Sequence, residues 1–89
     1  MICKVELSTK VLKFLEKTDK KERERILGRL RDLQQGPRIK GSIRLKGVKG
    51  GVYRFRVGGY RVLYKILPSE KVIIVFKIDT RSKIYRKLK

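Results

Sequence analysis

The chain is short of several residue types on which common kinds of chemistry depend. Its 89 residues include no histidine, no tryptophan and one cysteine. Without histidine, the Ser/His and Cys/His nucleophilic pairs are excluded. The lone Cys3 cannot form a disulfide within the chain, and its alternation with Val5 and Leu7 predicts a buried apolar role. No acidic cluster has metal-ligand spacing, so we expect no metal and no other cofactor.

Acidic residues are also scarce. Only 8 residues are Asp or Glu against 26 Lys and Arg, a formal net charge of +18. Between Asp32 and Glu70 there is no acidic residue at all, while lysine and arginine recur throughout. A field this one-sided attracts polyanions. Nucleic acid is therefore the expected partner, with an acidic protein or anionic lipid as alternatives.

Long apolar runs are absent as well. No segment is long enough to cross a membrane, and no signal peptide is evident. We expect a cytoplasmic protein with no membrane partner. The length predicts one domain spanning residues 1–89.

The first half of the chain predicts a strand and two helices. Residues 2–7 read as a short strand, and Ser8 can cap a helix that runs to about Thr18. Asp19 and Glu22 have capping-box spacing and open a second helix, which stops at Gly36. The residues expected on the apolar sides are Val11, Leu12 and Leu15 in the first helix, and Ile26, Leu27, Leu30 and Leu33 in the second. The short connection between the two helices predicts an antiparallel helical hairpin.

The second half predicts a sheet for these helices to cover. Residues 38–51 read as an exposed connection with at most one short strand. Three strands follow, at residues 52–57, 60–67 and 71–78, joined by turns at Gly58-Gly59 and Pro68-Ser69-Glu70. The expected fold is α+β: a short N-terminal strand and a two-helix antiparallel hairpin packed on one face of an antiparallel sheet.

The stretch YRFRVGGYRVLY predicts its own strand register. A two-residue turn at Gly58-Gly59 sets Arg56 opposite Arg61 and Arg54 opposite Leu63. Period two then places aromatic and aliphatic side chains on the helix-covered face. These residues are Tyr53, Phe55, Val57, Tyr60, Val62, Tyr64 and Ile66, with Val72, Ile74, Phe76 and Ile78 from the third strand.

The opposite face receives the cations. Arg54, Arg56, Arg61 and Lys65 fall there, and a three-residue turn after Leu67 would set Lys77 beside Arg61. Since like charges placed opposite each other destabilise a sheet, a row Arg56–Arg61–Lys77 favours a site that holds phosphates. The alternative is that these long side chains splay into water over an apolar sheet face.

The tail IDTRSKIYRKLK adds an arginine and a tyrosine near the same end of the sheet. Arg81 can clamp phosphate bidentately, and Tyr85 can stack on a base or move a proton. A frayed basic terminus in which Tyr85 covers the core is the alternative. Further basic residues that could contact the substrate are Lys46, Lys49, Lys77 and Lys83.

Three segments together resemble the RelE/ParE toxin superfamily, and specifically its RelE branch. They are LKGVKGGVYRFRVGGYRVLYKI, KVIIVFKI and the closing TRSKIYRKL, so the resemblance covers nearly the whole chain. It implies a metal-independent endoribonuclease that cuts messenger RNA in the ribosomal decoding site and is silenced by a cognate antitoxin. The implied active-site residues are Arg54, Arg56, Arg61, Arg81 and Tyr85. The first two positions are lysine in the best-known members, and arginine is a poor base.

Such a site would use the 2′-OH of the RNA as nucleophile and positive charge to stabilise the transition state. Within this scheme Arg61 holds the phosphate, Arg54 and Arg56 stabilise charge, Arg81 serves the leaving oxygen, and Tyr85 stacks or assists proton transfer. Two other functions remain open. One is a ParE-like toxin that poisons DNA gyrase without nuclease chemistry, and the other is a non-enzymatic nucleic-acid-binding domain.

Overall fold

Two helices lie on one face of a five-stranded sheet in the computed structural model, which describes residues 3–36, 39, 41–45, 51–67 and 71–80. The helices are α1 (Thr9–Lys17) and α2 (Lys20–Asp32), and a single 3₁₀ turn, Leu33–Gln35, ends the second. The strands are β1 (Lys4–Leu7), β2 (Ile43–Arg44), β3 (Val52–Val57), β4 (Tyr60–Leu67) and β5 (Val72–Thr80). The predicted elements are confirmed, with ends that differ by a few residues.

Helix α1 begins where its cap predicted. The Ser8 hydroxyl accepts a hydrogen bond from the Val11 N–H at 3.2 Å, which satisfies one of the free donors of the first turn. Val11 and Leu15 are buried as expected, but Leu12 is 48% exposed. At 100° per residue, Phe14 and Leu12 flank the stripe set by Val11 and Leu15 on opposite sides. Phe14 is the one that packs against the sheet, with its ring centre 5.7 Å from that of Tyr60.

Helix α2 begins after the expected N-cap residue, but without the expected capping hydrogen bond. Asp19 is its N-cap, but the side chain makes no capping hydrogen bond. Glu22 pairs instead with Arg25, at 3.4 Å, so the predicted capping box is wrong. The apolar side is confirmed: Ile26, Leu30 and Leu33 are buried, and Leu27 is partly buried against the core.

The sheet has the strand order β1-β5-β4-β3-β2. Strands β2 to β5 pair antiparallel as predicted, whereas β1 pairs parallel to β5. Parallel neighbours need a long crossover, and here the helices and three intervening strands supply it. The α+β architecture with a short N-terminal strand is thus confirmed, and the sheet is mixed rather than antiparallel throughout.

The β3–β4 register matches the prediction at every pair. Arg56 lies opposite Arg61, Arg54 opposite Leu63 and Tyr53 opposite Tyr64. A positive φ of 57° at Gly58 makes the tight turn, a conformation that glycine adopts without steric cost.

The β4–β5 register differs from the prediction. Leu67 pairs with Val72, so the loop is one residue longer than expected, and a bulge between Leu63 and Tyr64 leaves Phe76 without a partner. Ile73 and Val75 therefore join the helix-covered core instead of Val72, Ile74 and Phe76, while Ile78 lies there as predicted.

The main core fills the space between helices and sheet. Its largest fully buried side chains include Tyr64, Phe55 and Ile26. Cys3 is 5% exposed within the same cluster, which confirms its buried role. Among the described residues, no helix is both long enough and apolar enough to span a membrane.

Candidate anion-binding site

The sheet face that points away from the helices, here called the outer face, carries the predicted arginines. Alternation along β3 and β4 sends Phe55, Val62 and Tyr64 into the helix-covered core, so the residues between them point outward. By register the outer face includes Lys4 and Glu6 of β1 and, on β3 to β5, Val52, Arg54, Arg56, Arg61, Leu63, Lys65, Ile74, Lys77 and Asp79.

The outer face has an apolar floor of its own. Val52 and Leu63 are 1% and 0% exposed, and Leu45 and Phe76 pack against them in a second small cluster. The Lys65 ammonium lies 5.4 Å from the centre of the Phe76 ring, a cation–π geometry. The cations therefore surround an apolar centre rather than standing on an open polar sheet.

Arg61 lies deeper in this face than the sequence predicted. It is only 5% exposed, whereas Arg54 is half-buried and Arg56 exposed. The sequence predicted that Arg61 lies between two basic neighbours, Arg56 and Lys77. The longer loop and the bulge place Lys77 opposite Leu63 and bring Asp79 opposite Arg61. The row across the three strands is Arg56–Arg61–Asp79.

The three arginines have no carboxylate partner among the described residues. Within the described part of the chain, no salt bridge or side-chain hydrogen bond involves Arg54, Arg56 or Arg61. The Nε atoms of Arg54 and Arg61 are moreover buried without an acceptor. A buried donor left unsatisfied costs about 1–3 kcal/mol. An anion bound on the outer face would supply the missing acceptors.

Arginines on the helix side of the molecule are arranged differently. Arg25 pairs with Glu22 at 3.4 Å, and Arg29 pairs with Asp32 at 3.1 Å. Both arginines line a cleft of about 410 Å³ that α2 forms with the β3–β4 turn, and Arg56 is also among its lining residues. Of these three cations, only Arg56 lacks an acidic partner among the described residues.

Asp79 is the residue of this face that the sequence analysis missed. It is the sole acidic residue in β2 to β5 and makes an interaction within the chain, as does Lys77. Its position opposite Arg61 depends on the bulge at Phe76, and no sequence pattern predicts that bulge. Its being the one acid in these strands is the only signal that could have drawn attention to it.

The other predicted site residues lie outside the described part of the chain. These are Arg81 and Tyr85 of the expected catalytic set, and Lys46, Lys49 and Lys83 of the expected substrate contacts. Among the residues that are described, no group of three or more Cys, Asp or Glu side chains could hold a metal ion.

Comparison with known proteins agrees with this fold. Residues 5–85 match a family model described as the ParE toxin of type II toxin–antitoxin system, parDE. The chain belongs to the RelE/ParE toxin family. A curated protein of this family that carries the name toxin RelE1, from Methanocaldococcus jannaschii, is 32% identical over 84 residues, which cover 92% of this chain and 93% of the relative.

Solved structures of family members share the architecture. The archaeal RelE–RelB complex from Pyrococcus horikoshii OT3 is 32% identical, with a TM-score of 0.80 over 93% of this chain and 99% of the matched one. The isolated E. coli RelE toxin superposes with a TM-score of 0.75 at 24% identity, covering 96% of this chain and 93% of that one. The latter likeness shows the fold alone.

Proposed function

We propose that this toxin is an endoribonuclease that cuts messenger RNA in the ribosomal decoding site. The observation that carries the proposal is the set of outer-face arginines without an acidic partner among the described residues, two of which bury an Nε without an acceptor. Phosphate diesters are the anions whose geometry suits a guanidinium fork. A net charge of +18 would draw the protein to ribosome-bound RNA.

The proposed reaction uses the nucleophile that RNA carries. The 2′-oxygen attacks the adjacent phosphorus, the bond to the 5′-oxygen breaks, and the products are a 2′,3′-cyclic phosphate and a 5′-hydroxyl. Arg61 would hold the phosphate, while Arg54 and Arg56 stabilise the charge that develops on its oxygens. Arg81 would stabilise or protonate the leaving oxygen. Tyr85 would stack on a nucleobase or assist proton transfer. Neither a metal nor another cofactor is needed for these roles.

An antitoxin is the second proposed partner. The Pyrococcus horikoshii relative was solved as a complex of RelE with RelB, and we infer that this chain likewise binds a cognate antitoxin. A partner for a surface this basic would carry an acidic or amphipathic segment, and its association would weaken with salt. Because ribosomes are the toxin's proposed target, we propose that the toxin acts in the cytoplasm.

The nuclease proposal can be tested by primer extension on translated messages after induction of the toxin. Wild type should produce discrete cuts within coding regions, and Arg54→Ala and Arg56→Ala should each weaken them by at least tenfold. Lys13→Ala is the matched control, because Lys13 is an exposed cation on α1, away from the outer face. The Lys13→Ala variant should give the same cleavage pattern as wild type.

Two results would overturn the proposal. Intact messages together with stalled DNA replication would favour a gyrase-poisoning toxin. Intact messages with tight RNA binding would favour a non-enzymatic nucleic-acid-binding domain.

The antitoxin proposal is tested by co-expression with the product of an adjacent gene. Co-expression should restore growth and yield a complex that dissociates as the salt concentration rises, and failure of both would count against that partner.

A further inference from the structure

The proposed cleavage lacks one component that the outer-face arginines cannot supply. As the 2′-oxygen attacks, its proton must leave, and a guanidinium hardly deprotonates. Lys4 and Glu6 of β1 also lie on this face, but they pair with each other and lie opposite Val72 and Ile74, at the other end of β5 from Asp79. The remaining candidates for a proton acceptor among the described residues of this face are Lys65, Lys77 and Asp79. Their positions relative to Arg61, the proposed phosphate ligand, separate them.

The two lysines are poorly placed. Lys65 is four residues along β4 from Arg61, or roughly 13 Å at the usual rise of a strand, and its ammonium lies against the Phe76 ring. Lys77 is opposite Leu63, not Arg61. A protonated ammonium offers no lone pair, so either lysine would first have to lose its own proton.

Asp79 is in the right row. It is the direct cross-strand partner of Arg61, which in turn is the partner of Arg56. Residues so paired have Cα atoms about 4.5–5.5 Å apart, so a phosphate held by Arg61 brings its ribose within reach of the Asp79 side chain. Asp79 is half-buried, and a carboxylate accepts a proton directly.

We propose that Asp79 is the general base of the cleavage reaction, an inference that depends on the nuclease function proposed above. The Asp79 carboxylate takes the 2′-OH proton while the 2′-oxygen forms its bond to phosphorus. The bond from phosphorus to the 5′-oxygen breaks, and that oxygen is protonated by solvent or an adjacent donor. Asp79 then returns its proton to solvent.

Asp79→Asn separates catalysis from binding. It preserves shape and removes the basic oxygen, so single-turnover cleavage on programmed ribosomes should fall by about 10²–10⁴, the usual contribution of a positioned base. Affinity should be equal or tighter, because a negative charge near the phosphate is gone. Binding is measured with a message that carries 2′-deoxynucleotides in the decoding-site codon, which cannot react. Glu6→Gln is the control, an exposed strand carboxylate paired with Lys4, and should cleave at the wild-type rate.

Chemical rescue gives a readout that a purely structural role would not move. Formate should restore part of the rate of Asp79→Ala by occupying the vacated space and taking the proton. It should leave Arg61→Ala unchanged, since that variant lacks a cation. Asp79→Glu, which keeps a carboxylate in a shifted position, should retain more activity than Asp79→Asn. Thermal melts identify any variant that fails to fold.

Wild-type cleavage rates from Asp79→Asn would overturn the assignment. Tighter binding together with faster cleavage would do the same, because Asp79 would then only offset the charge of its neighbours. A slow Asp79→Ala that formate does not rescue would make the residue structural and also defeat the proposal. If wild type itself does not cut, the nuclease function fails first, and this outcome is recognisable without any variant.

Discussion

The two faces of the sheet bury neighbouring residues of the same strands for opposite purposes. On the helix-covered face, Phe55 and Tyr64 are fully buried with their ring centres 5.9 Å apart. On the outer face, Leu63 and Arg61 are buried almost as completely. What separates the faces is the state of the polar atoms, because the outer face leaves guanidinium donors unsatisfied. Burial there does not serve stability alone.

A second difference lies in where carboxylates are present. The arginines of α2 have acidic partners three residues away on the same helix, Glu22 for Arg25 and Asp32 for Arg29. Over β3 to β5 the outer face has five cations and a single acid, Asp79. Exposed ion pairs contribute little to folding, so their distribution is free to follow function. Arginines without a carboxylate partner among the described residues are therefore informative about ligands, whereas paired cations are not.

The largest effect should come from Phe55→Ala on the helix-covered face. Phe55 is 0% exposed, and removal of a buried phenyl ring typically costs about 3–5 kcal/mol. The free energy of unfolding, measured in urea, should fall by that amount. Arg54→Ala, one residue away on the other face, is the control and should change it by less than about 1 kcal/mol. Equal losses from both would end the functional distinction between the faces.

Arg61→Met should give the next largest effect, and on activity rather than stability. Methionine keeps an apolar stem over the floor of the outer face and removes the guanidinium. Cleavage on programmed ribosomes should fall by about 10²–10³, the scale of losing one preorganised donor at a charged transition state. Arg61→Lys should recover only part of that loss.

The thermal melt of Arg61→Met should rise at the same time. The variant no longer buries an unsatisfied Nε, which is worth about 1 kcal/mol, or about 4–8 °C for a domain of this size. A lower melting temperature would mean that Arg61 stabilises the fold and would undermine the ligand role assigned to it.

Gly58→Ala should have a smaller effect that reaches both faces. The φ of Gly58 is 57°, and alanine in the left-handed region costs about 1–2 kcal/mol. Gly59→Ala is the matched control, since an added Cβ there meets nothing within 4 Å and its φ is outside that region. Cleavage per folded molecule should stay at wild-type level in both. A large loss from Gly59→Ala alone would show that a different turn sets the register.

The smallest effect on folding and binding should come from Arg56→Gln, as a change in the salt dependence of RNA binding that accompanies its loss of cleavage. Each cation that neutralises a phosphate of single-stranded RNA contributes about 0.7 to the slope of log affinity against log salt concentration. The variant should lose about that much slope, with stability unchanged within about 0.5 kcal/mol. Lys13→Gln on α1 should keep the wild-type slope. An unchanged slope for Arg56→Gln would remove this residue from the binding face.

The β3–β4 hairpin could be predicted in full because its information is local. Only Gly58 and Gly59 separate the two strands, so the connection is a tight two-residue turn. That turn determines which residues oppose each other. The placement of Arg54, Arg56 and Arg61 on the face opposite Phe55 and Tyr64 follows from that register. The capping of α1 by Ser8 could be read for the same reason, since donor and acceptor are three residues apart.

The neighbours of Arg61 on β5 could not be read in this way, because they depend on the whole sheet. A loop one residue longer than expected and an unpaired Phe76 shift β5 by two positions at Arg61, and neither has a local signature. The burial of Arg61 likewise reflects what packs around it. The sequence alone determined that three arginines share one face. The tertiary structure decided that the most deeply buried of them lies opposite Asp79, because strand alignment across a bulge is chosen by packing on both faces at once.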